Sequence, residues 1–405
     1  MDETQKTLPK EAQAVRGVSL REVAVLFLRL GTTAFGGPAA HIAMMEDEFV
    51  RRRHWITQEK FLDLLGAVNL IPGPNSTEMA IYIGYLYAGW AGLLIAGVCF
   101  ILPAMVMVTA IAWAYLQFGS LPQFAGLLYG VKPVVIAVIL QALWGLGRKA
   151  IKTKFLVAIT VLATAASFFG VGAITVLLLA GAITGLERGR LQEPGKRLRP
   201  ILVMLIAASS ILAFSYFAAR LGSSAKVQAG LQPLFLYFLK IGSVLYGSGY
   251  VLLAFLQADL VTHWHWLTPA QLLDATAVGQ VTPGPVFTTA TFIGYLVGGL
   301  SGAVIATIGI FLPSFIFIAV SGPLIPYLRR SPIAGAFLDG VNVASLALMA
   351  VVTWQLGLAA IFDITTTLLV VASAILLVRF RVNSAWLVLG GAGSGFLLQV
   401  LHVSG

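Results

Sequence analysis

Ile71-Pro72-Gly73-Pro74-Asn75-Ser76-Thr77-Glu78 interrupts one long apolar run, and Val281-Thr282-Pro283-Gly284-Pro285-Val286-Phe287-Thr288-Thr289 interrupts another. Proline cannot continue a helix but suits its first turn. Each motif therefore reads as the end of one helix and the start of the next, inside otherwise membrane-like sequence. The start of a helix carries unpaired N–H groups and partial positive charge. Asn75, Ser76, Thr77, Thr288 and Thr289 are suited to cap the new helices. A proline kink made only for packing is the competing reading, and a matched pair of breaks weakens it.

The pairing extends outward from the motifs. At a shift of 211 residues Phe27-Leu28 falls on Phe238-Leu239, Gly31 on Gly242, Trp55 on Trp266 and Asp63 on Asp274. After the motifs the shift becomes 210, with Ile83-Gly84-Tyr85-Leu86 on Ile293-Gly294-Tyr295-Leu296, Leu102-Pro103 on Leu312-Pro313 and Trp144 on Trp354. One gap aligns tryptophan and proline landmarks in order, which composition bias does not do. The chain is a duplication. It divides into a tail at 1–19, a first repeat at 20–190, a joining segment at 191–230 and a second repeat at 231–405.

Of the 405 residues, 59% are hydrophobic and only 10% charged, and the mean hydropathy is +0.92. A soluble domain carries about 25% charged residues. The apolar runs are continuous rather than alternating, so the expected fold is an all-α polytopic membrane protein, not a barrel. The net charge of +10 sits in short loops between apolar segments, where cytoplasmic Lys and Arg belong, so no nucleic-acid partner is expected. The N-terminus has no cleavable signal pattern. The one cysteine, Cys99, permits no intrachain disulfide and reads as a small core residue.

Matched loops carry opposite charge. Arg51-Arg52-Arg53 matches Thr262-His263-Trp264, and Arg148, Lys149, Lys152 and Lys154 match Leu358, Ala359, Phe362 and Ile364. Conversely, the uncharged loop at Ser120 matches Arg329-Arg330, and Phe169-Gly170-Val171 matches Arg379-Phe380-Arg381. By the positive-inside rule the halves are inverted, with the N-terminus cytoplasmic and the C-terminus periplasmic. Full crossings are expected at 90–116, 124–147, 155–168, 172–187, 201–219, 300–326, 334–357, 362–378 and 382–400. The segment 201–219 supplies the odd crossing that inversion requires, although Arg220 and Lys226 on its far side break the charge rule. Parity makes Phe61 to Gly89 a re-entrant hairpin broken at the first motif. Val23 to Phe49, broken at Gly36-Gly37-Pro38, reads as another. Non-helical backbone at that depth must be buried in protein or line a cavity.

Candidate site residues follow from these breaks. Pro72, Gly73, Pro74, Asn75, Ser76 and Thr77, together with Pro283, Gly284, Pro285 and Thr288, form two helix ends that would converge on an anion. Gly36, Gly37 and Pro38 supply a further break. Arg29 and Lys240 occupy equivalent places in Phe-Leu-(Arg/Lys)-x-Gly and are expected to flank a dianion; snorkelling or an ion pair is the plainer alternative. Glu78 matches Thr289, and this asymmetry makes it a candidate for coupling to an ion such as the proton. Asp63 and Asp274 are weaker coupling candidates, because both also read as polar interface positions. Lys132 reads as interfacial. The histidines show no metal spacing, no cofactor is implied, and no phosphate-binding loop of the Gly-x-x-x-x-Gly-Lys-Ser/Thr type occurs.

Phe35-Gly36-Gly37-Pro38 with His41, Trp55 after a basic cluster, and Ile71-Pro72-Gly73-Pro74 with Asn75 resemble the chromate ion transporter family in its long two-domain form. So do Tyr246-Gly247-Ser248-Gly249, Val281-Thr282-Pro283-Gly284-Pro285 and Phe292-Ile293-Gly294-Tyr295 in the second copy. The resemblance covers about residues 20 to 400. It implies secondary export of chromate, and of sulfate as a similar tetrahedral dianion, from the bacterial cytoplasm across the inner membrane, giving chromate resistance. An oxyanion channel, or an importer of sulfate-like dianions, is the alternative. The expected partners are the dianion, the bilayer, a coupling proton and a second copy in a homodimer. An enzyme is not expected: no flavin or haem signature accompanies the lone cysteine.

Overall fold

The computed structural model describes residues 18–35, 37–69, 71–119, 121–190, 228–246, 249–321, 332–380 and 382–403. Every regular element among them is helical. The first repeat contains α1 (Leu20–Thr33), α2 (Gly37–Glu46) running into a π-helical turn (Asp47–Arg52), α3 (Gln58–Val68), α4 (Asn75–Phe118), α5 (Pro122–Ala150), α6 (Lys154–Phe168) and α7 (Ala173–Arg190). The second contains α8 (Leu231–Val244), a 3-10 turn (Gly249–Val251) with α9 (Leu252–Leu256) and a π-helical turn (Gln257–His263), then α10 (Pro269–Val281). A 3-10 turn (Val286–Thr288) leads into α11 (Thr289–Ser321), followed by α12 (Pro332–Ala360), α13 (Ile364–Arg379) and α14 (Ser384–Val403). The expected crossing at 201–219, the loop arginines Arg329 and Arg330, and Gly36, Gly247 and Ser248 lie outside the described residues.

Polar residues set the helix starts. Ser19 accepts from Glu22 N–H, Thr57 from Lys60 N–H and Thr153 from Leu156 N–H, each at 3.2 Å. Thr268 with Gln271, and Asp363 with Thr366, form reciprocal capping boxes. Each such cap stabilises its helix by about 1 kcal/mol.

The duplication extends to backbone irregularities. His54 and His265 have φ of 53° and 54°. Ala88 and Gly89 lie at (−136°, 21°) and (59°, −147°); Gly298 and Gly299 lie at (−142°, 22°) and (61°, −148°). These bends fold α4 and α11 back on themselves. A Cβ on Gly84 would collide with the Gly92 carbonyl and the Ala96 methyl, and one on Gly294 with Gly302 and Ala306. In a straight helix residues 84 and 96 would stand about 18 Å apart. The sequence break placed between residues 89 and 90 is therefore a real hairpin turn. Glycine is required at its second position because no L side chain settles at that φ and ψ.

Small residues bring the two repeats together. Gly130 of α5 abuts the backbone of Gly391 and Gly395 in α14, and Gly126 abuts Gly395 and Gln399. As the number rises in α5 it falls in α14, so the two helices run antiparallel. The equivalent pair also packs through glycine: Gly340 of α12 meets Ala180 and Thr184 of α7, and Gly181 meets Phe337 and Val341. Between α4 and α11, Gly97 faces the ring of Phe315 rather than its own counterpart, Thr307.

Among the described residues five helices, α4, α5, α11, α12 and α14, are long and apolar enough to cross a membrane. Their outward faces carry large apolar side chains; on α4 these are Trp90, Leu94, Val98, Leu102, Val106 and Trp113, from 44% to 61% exposed. Water does not tolerate an apolar stripe of this length, whereas lipid is its natural solvent. The chain is an all-α multi-pass membrane protein.

Candidate functional site, a junction of two broken hairpins

The two Pro-Gly-Pro motifs bind each other's half. Gly73 N–H donates to the carbonyl of Leu245 at 2.7 Å, and Gly284 N–H donates to the carbonyl of Ala34 at 2.9 Å. Ala34 and Leu245 are the equivalent C-terminal caps of α1 and α8. Each first helix, 14 residues and about 21 Å long, stops short of a full bilayer core. Its free end meets the broken hairpin of the other half. Gly73 and Gly284 have φ of +139° and +95°, which only glycine adopts readily. A Cβ on Gly284 would lie 2.8 Å from the Ala104 methyl and 3.2 Å from the Gly31 carbonyl oxygen. The junction thus sits partway along the α4 crossing arm, about 16 Å past the bend at Gly89 by the level of Phe100.

The helix starts differ from the sequence expectation. Pro74 is the N-cap of α4 and no side chain caps it. Asn75, Ser76 and Thr77 stand one to three positions too late, inside the first turn. Asn75 donates to Asn69 instead, and Ser76 pairs with His41 at 3.2 Å. In half two, Thr288 and Thr289 donate back to the carbonyls of Pro285 and Val286, each at 2.8 Å. The first turn of α4 is therefore left without a side-chain acceptor, while the N–H groups of Gly73 and Gly284 are already engaged.

Around the first motif, buried polar atoms collect. Glu78 and Thr77 are fully buried, and Ser314 of α11 is fully buried beside them. A Cβ on Gly73 would overlap both a Glu78 carboxylate oxygen and the Ser314 hydroxyl, so the three meet at one point. Both Glu78 oxygens, Thr77 Oγ1, Asn75 Oδ1 and Ser314 Oγ have no hydrogen-bond partner among the described residues. Buried polar groups left this way are uncommon and costly. His41, 1% exposed, joins α2 to this place through Ser76 and through the Ala34 carbonyl at 3.1 Å. The equivalents of Glu78, Ser314 and His41 are Thr289, Ala104 and Leu252, so the polar cluster belongs to one motif only.

Several expected participants lie elsewhere. Arg29 is exposed, off the face of α1 formed by Val23, Leu26, Phe27, Leu30 and Gly31. Lys240 pairs with Asp259 at 3.6 Å. The two cations do not converge on the junction, and Lys240 follows the ion-pair alternative. Asp274, 2% exposed, accepts from Tyr115 at 3.0 Å and faces Lys132 at 3.7 Å. The pair joins the two halves, with Asp274 buried and Lys132 partly buried, where the sequence predicts polar interface positions for both. Asp63 is half-buried on α3 and is also engaged. Gly37 (φ +77°) starts α2, with Pro38 in its first turn; Gly36 falls outside the described residues. His41 and Ser314 escaped the sequence reading as site residues, because their partners are far away in the chain. The one available signal for Ser314 was its replacement of Ala104 in an otherwise apolar repeat.

The chromate transporter family model matches residues 21–186 and 232–396, one match per repeat. A chromate transport protein of Cupriavidus metallidurans is 35% identical over 376 residues, 92% of each chain. A chromate transport protein of Pseudomonas aeruginosa is 31% identical, over 82% of this chain and 79% of its own. An uncharacterised transporter of Methanocaldococcus jannaschii is 27% identical, over 92% of each. No solved structure matches. The duplicated chain, with its two glycine-latched hairpins, belongs to the chromate transporter family.

Proposed function

We propose that this protein is a secondary transporter that exports chromate, with sulfate as a chemically similar dianion, from the bacterial cytoplasm across the inner membrane. The observation that carries the reading is the reciprocal latch, Gly73 to Leu245 and Gly284 to Ala34. It ties two broken helices, one from each half, at a single internal place. A transporter needs such a place, exposed alternately to either side by movement of one half against the other. The uncapped first turn of α4 supplies donors and partial positive charge for an oxyanion. Pro72 to Thr77 and Pro283 to Pro285, with Thr288, form the cradle.

The halves are taken as inverted. The antiparallel run of α5 against α14 supports this, since parallel repeats with alternating crossings would set that pair parallel. Loop charge gives the same orientation. In this arrangement α3 and the first arm of α4, like α10 and the first arm of α11, enter and leave on one side.

Glu78 is the proposed coupling group. An ionised carboxylate buried with the Ser314 hydroxyl beside a helix start meant for an anion competes with the dianion for the same positive potential. Protonation removes that competition, so dianion and proton occupancy are linked. The test is chromate flux in sealed inverted vesicles with imposed pH and potential gradients and sulfate as competitor. Uphill accumulation driven by a second gradient is expected; dissipation alone would make the protein a channel. Glu78→Gln should retain downhill flux and lose its response to the pH gradient.

A further inference from the structure

A cavity bordered by polar side chains lies at the end of α5 that carries the basic residues. It has a volume of about 190 Å³ and is lined by Lys149, Lys152, Asp339, Asn342 and Ser345, with Val251 among the apolar walls. Lys152 Nζ holds Asp339 Oδ1 at 2.9 Å. Ser345 is 2% exposed, and its hydroxyl oxygen has no hydrogen-bond partner among the described residues. Two lysines and an asparagine thus border one space, with the unpaired Ser345 hydroxyl buried in its wall, and ammonium and amide groups are donor types that bind a tetrahedral oxyanion.

The inner wall of this cavity leads to the second motif. Val251 closes the 3-10 turn that begins at Gly249. A Cβ on Gly249 would lie 3.3 Å from the Phe287 ring and 3.5 Å from Val286. Both residues directly follow Pro283-Gly284-Pro285. The cavity, the turn and the motif are therefore contiguous.

The repeat provides an internal comparison. At the opposite mouth, Lys149, Lys152, Asn342, Ser345 and Asp339 are replaced by Ala359, Phe362, Lys132, Val135 and Tyr129. Lys132, the only cation there, faces Asp274. Architecture alone does not demand the lysine set, because the same architecture is built without it on the other side.

We propose that this cavity is a capture site for the oxyanion dianion on the lysine-bearing face, where Asp339 occupies Lys152 until the anion displaces it. The proposal rests on the reading of chromate as cargo. It adds a site that loads the junction from one face, and so a structural source of direction. Charges at a mouth raise the capture rate and its sensitivity to salt more than they change the later steps.

The experiment measures initial chromate uptake into inverted vesicles, where the lysine-bearing face is outermost, for wild type, Lys149→Gln/Lys152→Gln and Asp339→Asn. Each is made in zwitterionic lipid and in lipid containing phosphatidylglycerol, at matched protein levels and with monodisperse solubilised protein. The double lysine variant should raise the half-saturating chromate concentration roughly five- to tenfold with an unchanged maximal rate, and weaken its salt dependence. Asp339→Asn should lower the half-saturating concentration. Lys149→Arg/Lys152→Arg, which keeps the charge, should stay near wild type and so separates charge from folding. An unchanged half-saturation in the glutamine variant would overturn the proposal. A change seen only with phosphatidylglycerol would also overturn it, in favour of a lipid phosphate on these lysines. If wild-type vesicles take up no chromate, the transport reading itself fails, which is a distinct result.

Discussion

Gly284→Ala is the most informative single substitution, because its cost divides into two parts that can be measured separately. At φ +95° an L side chain is strained, at about 1–3 kcal/mol. The new methyl would also stand 2.8 Å from the Ala104 methyl and 3.2 Å from the Gly31 carbonyl oxygen. Carbon atoms prefer about 3.5–4.0 Å, and neither neighbour moves by rotating a side chain. Overpacking of this kind adds about 1–3 kcal/mol. The total is about 2–6 kcal/mol, a large part of the stability of most proteins. Gly37→Ala is the control: φ is +77°, but nothing lies within 4 Å of its Cβ, so it should show the strain alone. Ala104→Gly should cost about 1 kcal/mol by itself, yet recover the share of the overpacking due to the Ala104 methyl when combined with Gly284→Ala. The assay is denaturant-driven unfolding in mixed micelles for the four members of the cycle and the control. Equal losses for Gly284→Ala and Gly37→Ala, with strict additivity in the cycle, would refute the close seating of the motif against the other half.

Three further outcomes follow from the geometry. Lys132→Met should destabilise the fold by about 3–5 kcal/mol, because it strands the buried Asp274; adding Asp274→Asn should restore part of that loss, read in the same unfolding assay. Gly130→Leu should prevent assembly of α5 with α14, since even a Cβ there overlaps the Gly391 carbonyl, and loss of monodisperse protein in size-exclusion chromatography is its readout. Asp363 lies in the loop before α13, where the Thr366 backbone N–H, then the Tyr129 hydroxyl, hold its carboxyl below the ordinary carboxylate range. A depressed folded value stabilises above the unfolded value of about 3.9 and is lost as pH falls through the folded value. The wild-type unfolding midpoint should therefore drop more steeply below about pH 4 than that of Asp363→Asn.

The sequence revealed the architecture because its strongest landmarks have backbone consequences. The glycines at 73, 89, 284 and 299 occupy conformations that other residues resist, so their spacing recorded the hairpins directly. The crossings read at 124–147 and 334–357 fall within α5 and α12, whereas the segment at 155–168 forms α6, a shorter apolar helix of 15 residues. Pairings between elements distant in the chain were not legible: His41 with Ser76, Tyr115 with Asp274, Ser314 beside Glu78. Nothing local in the chain encodes which helix will lie opposite. Arg29 is a different case, because its position could have been read. The periodicity of Val23, Leu26, Phe27 and Leu30 defines the packed face of α1, and Arg29 shares the other side with Val25 and Leu28. Repeat equivalence to Lys240 outweighed that pattern in the sequence reading. The expected caps lie too far along the chain, by one to three positions in half one and three to four in half two, because the second proline of each motif takes the N-cap itself.

The central claim is that equivalent parts of the two repeats face opposite sides of one membrane. Lys149→Cys and Ala359→Cys, each in a Cys99→Ser background, place single thiols at equivalent ends of α5 and α12. Labelling with a membrane-impermeant maleimide in right-side-out and inverted vesicles reads their sides. Position 149 should react only in inverted vesicles and position 359 only in right-side-out ones. Reaction of both positions from the same side would contradict the inverted arrangement, and with it the shared junction.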